Sequence, residues 1–402
     1  MTQTSSATIR VLFYRYGSIC EPDVIDCFRQ AGLTVVEEQT QITEKKTTAS
    51  QTAEAVSKLL SAERFLFVFT INFFPAVSEV CRIHDIPYVC WTVDSPVMEL
   101  FSPSLANDCN RVFLFDRAQY DCFKKRNPGR IFHLPLCTNV SRWDNVIQEA
   151  SAAQRKTYAS NVSFVGSLYH EHNAYRRLTK LSDFTKGYIE GLAEAQLHVY
   201  GYNFLEEALP ETVLNDIKNT YPEVETRLFD GSADALRYYT AHTLIGFDLA
   251  VTERKRLLEA LTKVCDVDLY TQSDASSLSG VRVHGGVKTL TEMPLVFHES
   301  RINLNFTMRP IITGLPLRIF DVCGCGGFLM TNYQEELAEH FEPGVEADFF
   351  TSEEELLEKV SYYLSHEAER ETIARKGYER TKAGHTYAHR VTEMIRMVMG
   401  TL

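Results

Sequence analysis

A carboxylate inside an apolar run is the first feature of this sequence that asks for a chemical reason. Asp321 lies in "LPLRIFDVCGCGG", residues 315–327, among Leu317, Ile319, Phe320 and Val322. Burying a charged group is costly unless it is paired or hydrogen-bonded. Two partners fit the spacing: a ribose diol that donates two hydroxyls, or an internal cation such as Arg318. Just upstream, "TMRPIITGLP" sets Thr313 and Gly314 before a helix expected to begin near Leu315. Pro316 falls in its first turn, where a missing N–H does no harm. Arg309 stands in the preceding loop. A helix N-terminus fronted by Thr-Gly, with arginines nearby, suits a phosphate group. The C-x-C pair, Cys323 and Cys325, reads as small side chains packed near a helix end. Gly324, Gly326 and Gly327 let the chain turn into the next strand.

Other candidates follow expected strand ends. In "FVGSLYHEHNAYRRL", Gly166 and Ser167 form a strand-to-helix turn that either admits a diphosphate to backbone N–H groups or only makes the turn. His170 and His172, at i and i+2, are a poor metal pair and read as exposed loop histidines. "DVDLYTQS" contains D-x-D, but Asp266 and Asp268 fall at the amino end of a strand. Tyr270 and Thr271, beyond it, are better placed to line a ligand. Backbone groups at Gly286 and Val287 suit the edge of a flat base, and Asn305 closes the next strand. In the first part of the chain, "CWTVDSP" places Asp94 after a strand, as a general base for a hydroxyl or as a helix cap. Trp91 either stacks on a sugar or packs in the core, and Gly17 and Ser18 end the first strand at the same edge.

The elements that must carry these residues follow from pattern. Strands are expected at 9–14, 34–38, 65–70, 88–91, 111–115 and 131–134, with helices at 21–31, 50–62, 75–84 and 117–125 between them. Runs such as "RFLFVFT" are apolar on both faces, as in a parallel sheet covered on both sides. A second set is expected at 161–165, 196–200, 267–270, 281–284, 302–305 and 328–331. Residues 183–263 look mostly helical, and tail helices are expected at 353–364, 367–383 and 389–399. The polar stretch 138–160 reads as the connection. The fold class is therefore α/β: two Rossmann-like, doubly wound domains expected to face each other across a cleft, with ligands beyond the carboxyl ends of the strands. The chain has 402 residues, enough for two cores. A net charge of -12 disfavours nucleic acid and anionic membranes as main partners. Ten scattered cysteines, no signal-like N-terminus and no apolar run long enough to span a bilayer point to a cytoplasmic protein without a transmembrane segment.

"LRIFDVCGCGGFLMTNYQEELAEHFEPG", "FVGSLYHEHNAYRRL" and "TEMPLVFHESRINLNF" resemble the GT-B-fold glycosyltransferases of the spore-maturation-protein (CgeB-like) group, which end in a group-1-type glycosyltransferase domain. The similarity covers nearly the whole chain and is strongest from 161 onward; "YVCWTVDSP" extends it into the first domain. The resemblance implies an acceptor-side domain at 1–138, a linker at 139–160 and a donor-binding domain at 161–384. It also implies a last helix at 385–402 that crosses back to the first domain. It assigns Asp321 to the donor ribose. It departs at Thr313, where the wider group often carries a second carboxylate, and this puts a retaining mechanism in doubt.

The expected function is metal-independent transfer of a sugar from a nucleoside diphosphate donor, UDP-linked or another, to a protein, polysaccharide or small-molecule acceptor, with no cofactor. Arg309 and Asp94 are the expected catalytic groups, Arg309 against the leaving diphosphate and Asp94 as base. Gly166, Ser167, Tyr270, Thr271, Gly286, Val287, Asn305, Thr313, Gly314, Arg318 and Asp321 are expected at the donor, and Gly17, Ser18 and Trp91 on the acceptor side. The rival expectations are a nucleotide-sugar epimerase or phosphorylase on the same fold, and a non-catalytic spore or cell-surface assembly protein.

Overall fold

The structure, a computed structural model, describes residues 9–44 and 47–401. The chain divides into two compact units: one runs to Pro135 and includes the tail from Tyr387, the other is Leu136–Thr386.

Unit 1 is built on a parallel six-stranded sheet in the order β2-β1-β3-β4-β5-β6. Its strands are β1 (Arg10–Tyr14), β2 (Thr34–Glu38), β3 (Val68–Ile71), β4 (Tyr88–Trp91), β5 (Asn110–Leu114) and β6 (Ile131–His133). Every residue of β3, β4 and β5 is buried, as expected where helices cover both faces of a parallel sheet. Phe13, Phe28 and Phe69 meet at ring separations of 4.9–6.4 Å under the helix Glu21–Gln30. The last helix, Tyr387–Met399, buries Val391, Met394 and Val398, spaced three and four apart on one face. Beyond it Thr401 is gripped by Arg111, whose Nε donates to Oγ1 at 2.7 Å, and by Arg130, whose Nη1 donates to the carbonyl at 3.0 Å.

Unit 2 has a parallel six-stranded sheet in the order β12-β11-β10-β7-β8-β9. The strands are β7 (Ser160–Val165), β8 (Val267–Tyr270), β9 (Arg282–His284), β10 (Ser300–Asn305), β11 (Leu329–Asn332) and β12 (Asp348–Phe350). A long helical excursion separates β7 from β8 and ends in the helix Gly246–Leu261, which lays Leu257, Leu258 and Leu261 against β7 and β8. Burying each such leucine stabilises the fold by about 1.5–3 kcal/mol.

Three expectations need correction. The segment 196–200 is not a strand: it closes the helix Asp183–Leu197 and the turn after it. Gln196 is fully buried there, and its amide donates to the carbonyls of Val199 and Tyr202 and accepts from the Phe204 N–H. This side chain organises a turn where alternation alone suggested a ladder. The sixth strand is instead β12, a three-residue strand. The stretch 139–160 is not a linker but two helices of unit 2, Val140–Glu149 and Ala152–Tyr158. Asn139 caps the first by accepting from the Arg142 N–H at 3.0 Å, and Ser151 with Gln154 forms a capping box on the second. Val140, Trp143 and Ile147 make the buried stripe that fixes the first helix.

Candidate functional site

The chain leaves β7 toward β8 and β9 on one side, then returns to place β10 on the other. The β7/β10 pair is therefore the switch point of the unit 2 sheet, where the loops diverge and leave a crevice. A cavity of about 180 Å³ opens at its carboxyl end, lined by Gly166, Ser167, Tyr169, Arg254, Asn305 and Arg318 among others.

Two guanidinium groups define the chemistry of this cavity. Arg254, from the helix Gly246–Leu261, is 7% exposed. Its Nη2 donates to the Phe306 carbonyl at 2.8 Å and its Nη1 donates to the Ser167 carbonyl, so it ties together the chain segments that follow β10 and β7. Its charge lies 4.4 Å from the centre of the Tyr169 ring and 5.2 Å from that of Phe164. Arg318 projects from the first turn of the helix Leu317–Gly324 and lies 5.1 Å over the Phe297 ring. Its Nη1 is 3.5 Å from the Asp321 carboxylate. Burial lowers the pKa of both guanidiniums, and the charge of Arg318 lowers that of Arg254 further. An arginine remains protonated under such shifts. Among the described residues Arg318 pairs with Asp321, whereas Arg254 has no carboxylate within ion-pair distance. The carbonyl contacts orient Arg254 without neutralising it, so the arrangement is built for an anion.

Arg309 does not serve as a free cation. It is 6% exposed, its Nη2 donates to Glu253 at 2.7 Å, and its Nη1 donates to the Val199 carbonyl at 2.9 Å. Its charge lies 4.1 Å over the Tyr200 ring. The residue is a buried brace, because Glu253, itself 4% exposed, requires a partner. Thr313 is likewise engaged: its hydroxyl donates to Glu336 at 2.8 Å, and Gln334 donates to the carbonyls of Ile311 and Gly314. The helix after them starts at Leu317, with Pro316 as its N-cap residue and not in its first turn. Asp321 accepts from the Thr138 hydroxyl at 2.7 Å, and Thr138 in turn accepts from the Trp143 indole at 2.6 Å. Its surroundings therefore include both a cation and a hydroxyl donor.

The remaining donor candidates divide into two groups. Gly166 continues the ladder by donating to the Tyr270 carbonyl, and a Cβ there would make ordinary contacts with Phe164 at 3.5 Å and Arg254 Nη1 at 4.0 Å. Ser167 belongs to a closed cluster with Glu171 and Ser273; burial raises the Glu171 pKa, but backbone and serine hydrogen bonds outweigh it and the net shift is downward. The Asn305 amide donates to Thr307 and Thr331 at the cavity wall. Tyr270, Thr271, Gly286 and Val287, at the ends of β8 and β9, do not line this cavity. Tyr270 stacks on His284 at 4.6 Å, and the Thr271 hydroxyl accepts from the Ser273 N–H.

The motifs that suggested metal have other partners. Asp268 sits inside β8, bonded to Arg282 and His284, and Asp266 lies 3.5 Å from Arg282. His170 and His172 fall in one short turn after Tyr169, whose φ is +64°. Among the described residues no group of three or more His, Cys, Asp or Glu side chains is placed to hold a metal ion.

In unit 1 the switch point lies between β1 and β3. Gly17, at φ +97°, and Ser18 follow β1, Asn72 follows β3, and Asp94 follows β4. Glu21 fixes the first turn by accepting from the N–H groups of Tyr16 and Gly17 at 2.8 and 3.0 Å. Asp94 is exposed and does not cap the next helical turn, whose N-cap residue is Val97; it accepts from Asn72 Nδ2 at 2.6 Å. Trp91 is no sugar platform: it is fully buried, its indole donates to the Leu134 carbonyl, and its ring meets Tyr387 edge-on.

Arg254 and Asn72 are absent from the sequence-derived set. The signal for Arg254 was its position on the apolar stripe Ala250, Arg254, Leu258 and Leu261 of its helix. The signal for Asn72 was an amide at a strand end between apolar residues, in "TINFF".

A family profile described as "Glycosyl transferase-like" matches residues 253–396. No curated protein matches the sequence. Among solved structures, the chain is similar to a sucrose-phosphate synthase from Thermosynechococcus elongatus at 10% identity and a TM-score of 0.56, covering 98% of this chain and 100% of that one. It is similar to a glycosyltransferase from Rickettsia africae at 8% identity and 0.54, with 98% of each chain covered. It is also similar to the Anabaena protein Alr3699/HepE, solved in complex with UDP and glucose, at 12% identity and 0.52, covering 98% and 100%. Two parallel six-stranded α/β domains with this likeness are the GT-B glycosyltransferase fold, and residues 253–396, most of them in the second unit, match a glycosyltransferase-like domain.

Proposed function

We propose that the protein is a glycosyltransferase that uses a nucleoside diphosphate sugar, UDP-linked or a close relative. One observation carries the reading: Arg254, buried and hydrogen-bonded to two carbonyls, and Arg318, partly exposed, line the switch-point cavity of a glycosyltransferase-like domain. Breaking the bond between sugar and diphosphate leaves its electron pair, and the developing negative charge, on a phosphate oxygen. Arg254 and Arg318 would stabilise that charge from positions set before the reaction, with the N-terminus of the helix Leu317–Gly324 beside them. This supports transfer in which side chains, not a resident metal ion, meet the leaving group. Gly166, which lines the same cavity, would border a diphosphate placed beside Arg254. Asp321, already accepting from Thr138, is the candidate to accept from a donor ribose.

In unit 1 the exposed Asp94 would take the proton of an acceptor hydroxyl as the new glycosidic bond forms, the role an inverting transfer requires. The acceptor class that fits is a hydroxyl compound. Membership of the spore-maturation group and a cytoplasmic site of action belong to the same proposal. They rest on the motif resemblance; among the described residues no helix is long and apolar enough to cross a membrane. The test is a thermal-unfolding panel of nucleoside diphosphates and their sugars, repeated with EDTA. A rise in midpoint with a nucleoside diphosphate and its sugar, kept in EDTA, is expected. No rise with any nucleotide sinks the donor site.

A further inference from the structure

Asn72 is a non-glycine residue in the left-handed region, at φ +60°, on the unit 1 switch point. That backbone conformation is uncommon outside glycine, and asparagine tolerates it better than most. A site that holds such a residue generally uses its side chain or its turn for something. Here the amide is fully engaged. Its Oδ1 accepts from the Val93 N–H at 3.0 Å, which fixes the orientation of the group. Its Nδ2 donates both to the Tyr16 hydroxyl at 2.9 Å and to Asp94 Oδ2 at 2.6 Å. One amide thus gathers the segments that follow β1, β3 and β4.

We infer that Asn72 is the positioning residue for Asp94: it holds one carboxylate oxygen and leaves the other for the acceptor hydroxyl. This rests on the reading of Asp94 as the base. A donated hydrogen bond favours the charged carboxylate and fixes its direction, and both matter to a general base. Because Val93 fixes the amide from its other end, Asn72 sets the direction in which the Asp94 carboxylate presents its second oxygen.

The test measures transfer by the full-length chain, with Asn72→Gly, Asn72→Asp and Asp94→Asn compared with wild type. Glycine keeps the left-handed turn and removes the amide. For Asn72→Gly, kcat falls about tenfold or more while KM for the donor holds. For Asn72→Asp, two carboxylates compete for one place and kcat falls at least as far. If Asp94→Asn abolishes transfer and Asn72→Gly keeps the wild-type kcat, the inference about Asn72 fails alone. If Asp94→Asn transfers sugar at the wild-type rate, the base reading fails and takes this inference with it. A thermal midpoint that falls with an unmoved kcat also overturns it, because a purely structural amide would give that result.

Discussion

Replacing Arg318 with methionine separates anion binding from packing. Methionine keeps an apolar stem against the Phe297 ring and removes the charge together with the Nη1 contact to the Met293 sulfur. The side chain is 26% exposed, and its contact to Asp321 is 3.5 Å, longer than a good charged hydrogen bond. Asp321 keeps the Thr138 hydroxyl after the change. The loss of the Asp321 pair is offset by relief of the repulsion that Arg318 exerts on Arg254. The unliganded midpoint should therefore move by no more than the equivalent of about 1 kcal/mol. Binding is different. A hydrogen bond from a charged donor contributes about 1.5–3 kcal/mol. A central value of about 2 kcal/mol makes the affinity for a nucleoside diphosphate fall about 30-fold. At a concentration roughly 100 times the wild-type Kd, the ligand stabilises the wild type by about 2.7 kcal/mol. For the variant that concentration is only about three times Kd, and the stabilisation drops to about 0.9 kcal/mol. For a domain of this size these become shifts of about 5–10 °C and about 2–4 °C. Differential scanning fluorimetry with UDP or the best diphosphate of the panel reads both numbers in one experiment. An unchanged ligand shift in Arg318→Met would refute the placement of the diphosphate beside Arg318. A collapse of the unliganded midpoint would show instead that the charge is structural.

Three further outcomes follow. Arg309→Ala leaves the buried Glu253 carboxylate unpaired and should cost about 3–5 kcal/mol in urea unfolding. Gly327→Ala would set a Cβ 2.4 Å from the Phe297 carbonyl oxygen and 2.6 Å from Asn303 Nδ2; the backbone must shift, and thermal unfolding should show a loss of about 1–3 kcal/mol. Hydrogen bonds from Thr185 and Ser182 hold the Asp216 carboxyl down to about 2, from an ordinary 3.8. A depressed folded-state value adds stability above the unfolded value, and that stability is lost as pH falls through the folded one. Asp216→Asn should therefore be less stable by about 1 kcal/mol at about pH 7, after allowance for solvent screening, and the difference should vanish near about pH 2.

The sequence made the two doubly wound sheets legible because a parallel strand buried on both faces is a continuous apolar run. "RVFLF" became β5 and "VFT" entered β3 with little ambiguity. Short or capped elements were harder to read. In 138–160 polar residues outnumber apolar ones, so composition suggested a connection. The correct signal was positional: Asn139 ahead of Val140, Trp143 and Ile147, a cap followed by one helical stripe. The error at 196–200 has the opposite cause. Its alternation imitates a strand, but Gln196 binds its own turn, and a single buried amide outweighs a pattern of five residues.

The two arginines show what spacing alone can and cannot reveal about a site. Arg309 lies in a loop near Thr313 and Gly314, so proximity in sequence made it the natural phosphate ligand. Its actual neighbours, Glu253 and the carbonyls of Leu197 and Val199, come from segments more than fifty residues away and engage both terminal nitrogens of its guanidinium. Arg254 is buried in the middle of a helix whose other inward residues are apolar, and no local motif surrounds it. Yet a cation on an apolar stripe is as costly as a carboxylate in one, and the reasoning applied to Asp321 applies equally to it. Applied to every charged residue on a buried face, that rule selects Glu253, Arg254 and Asp321 together. Only the fold then divides them: Glu253 is answered by Arg309, and Asp321 by Arg318 and Thr138. Arg254, held by two carbonyls that carry no charge, remains the group around which a bound diphosphate is most strongly favoured.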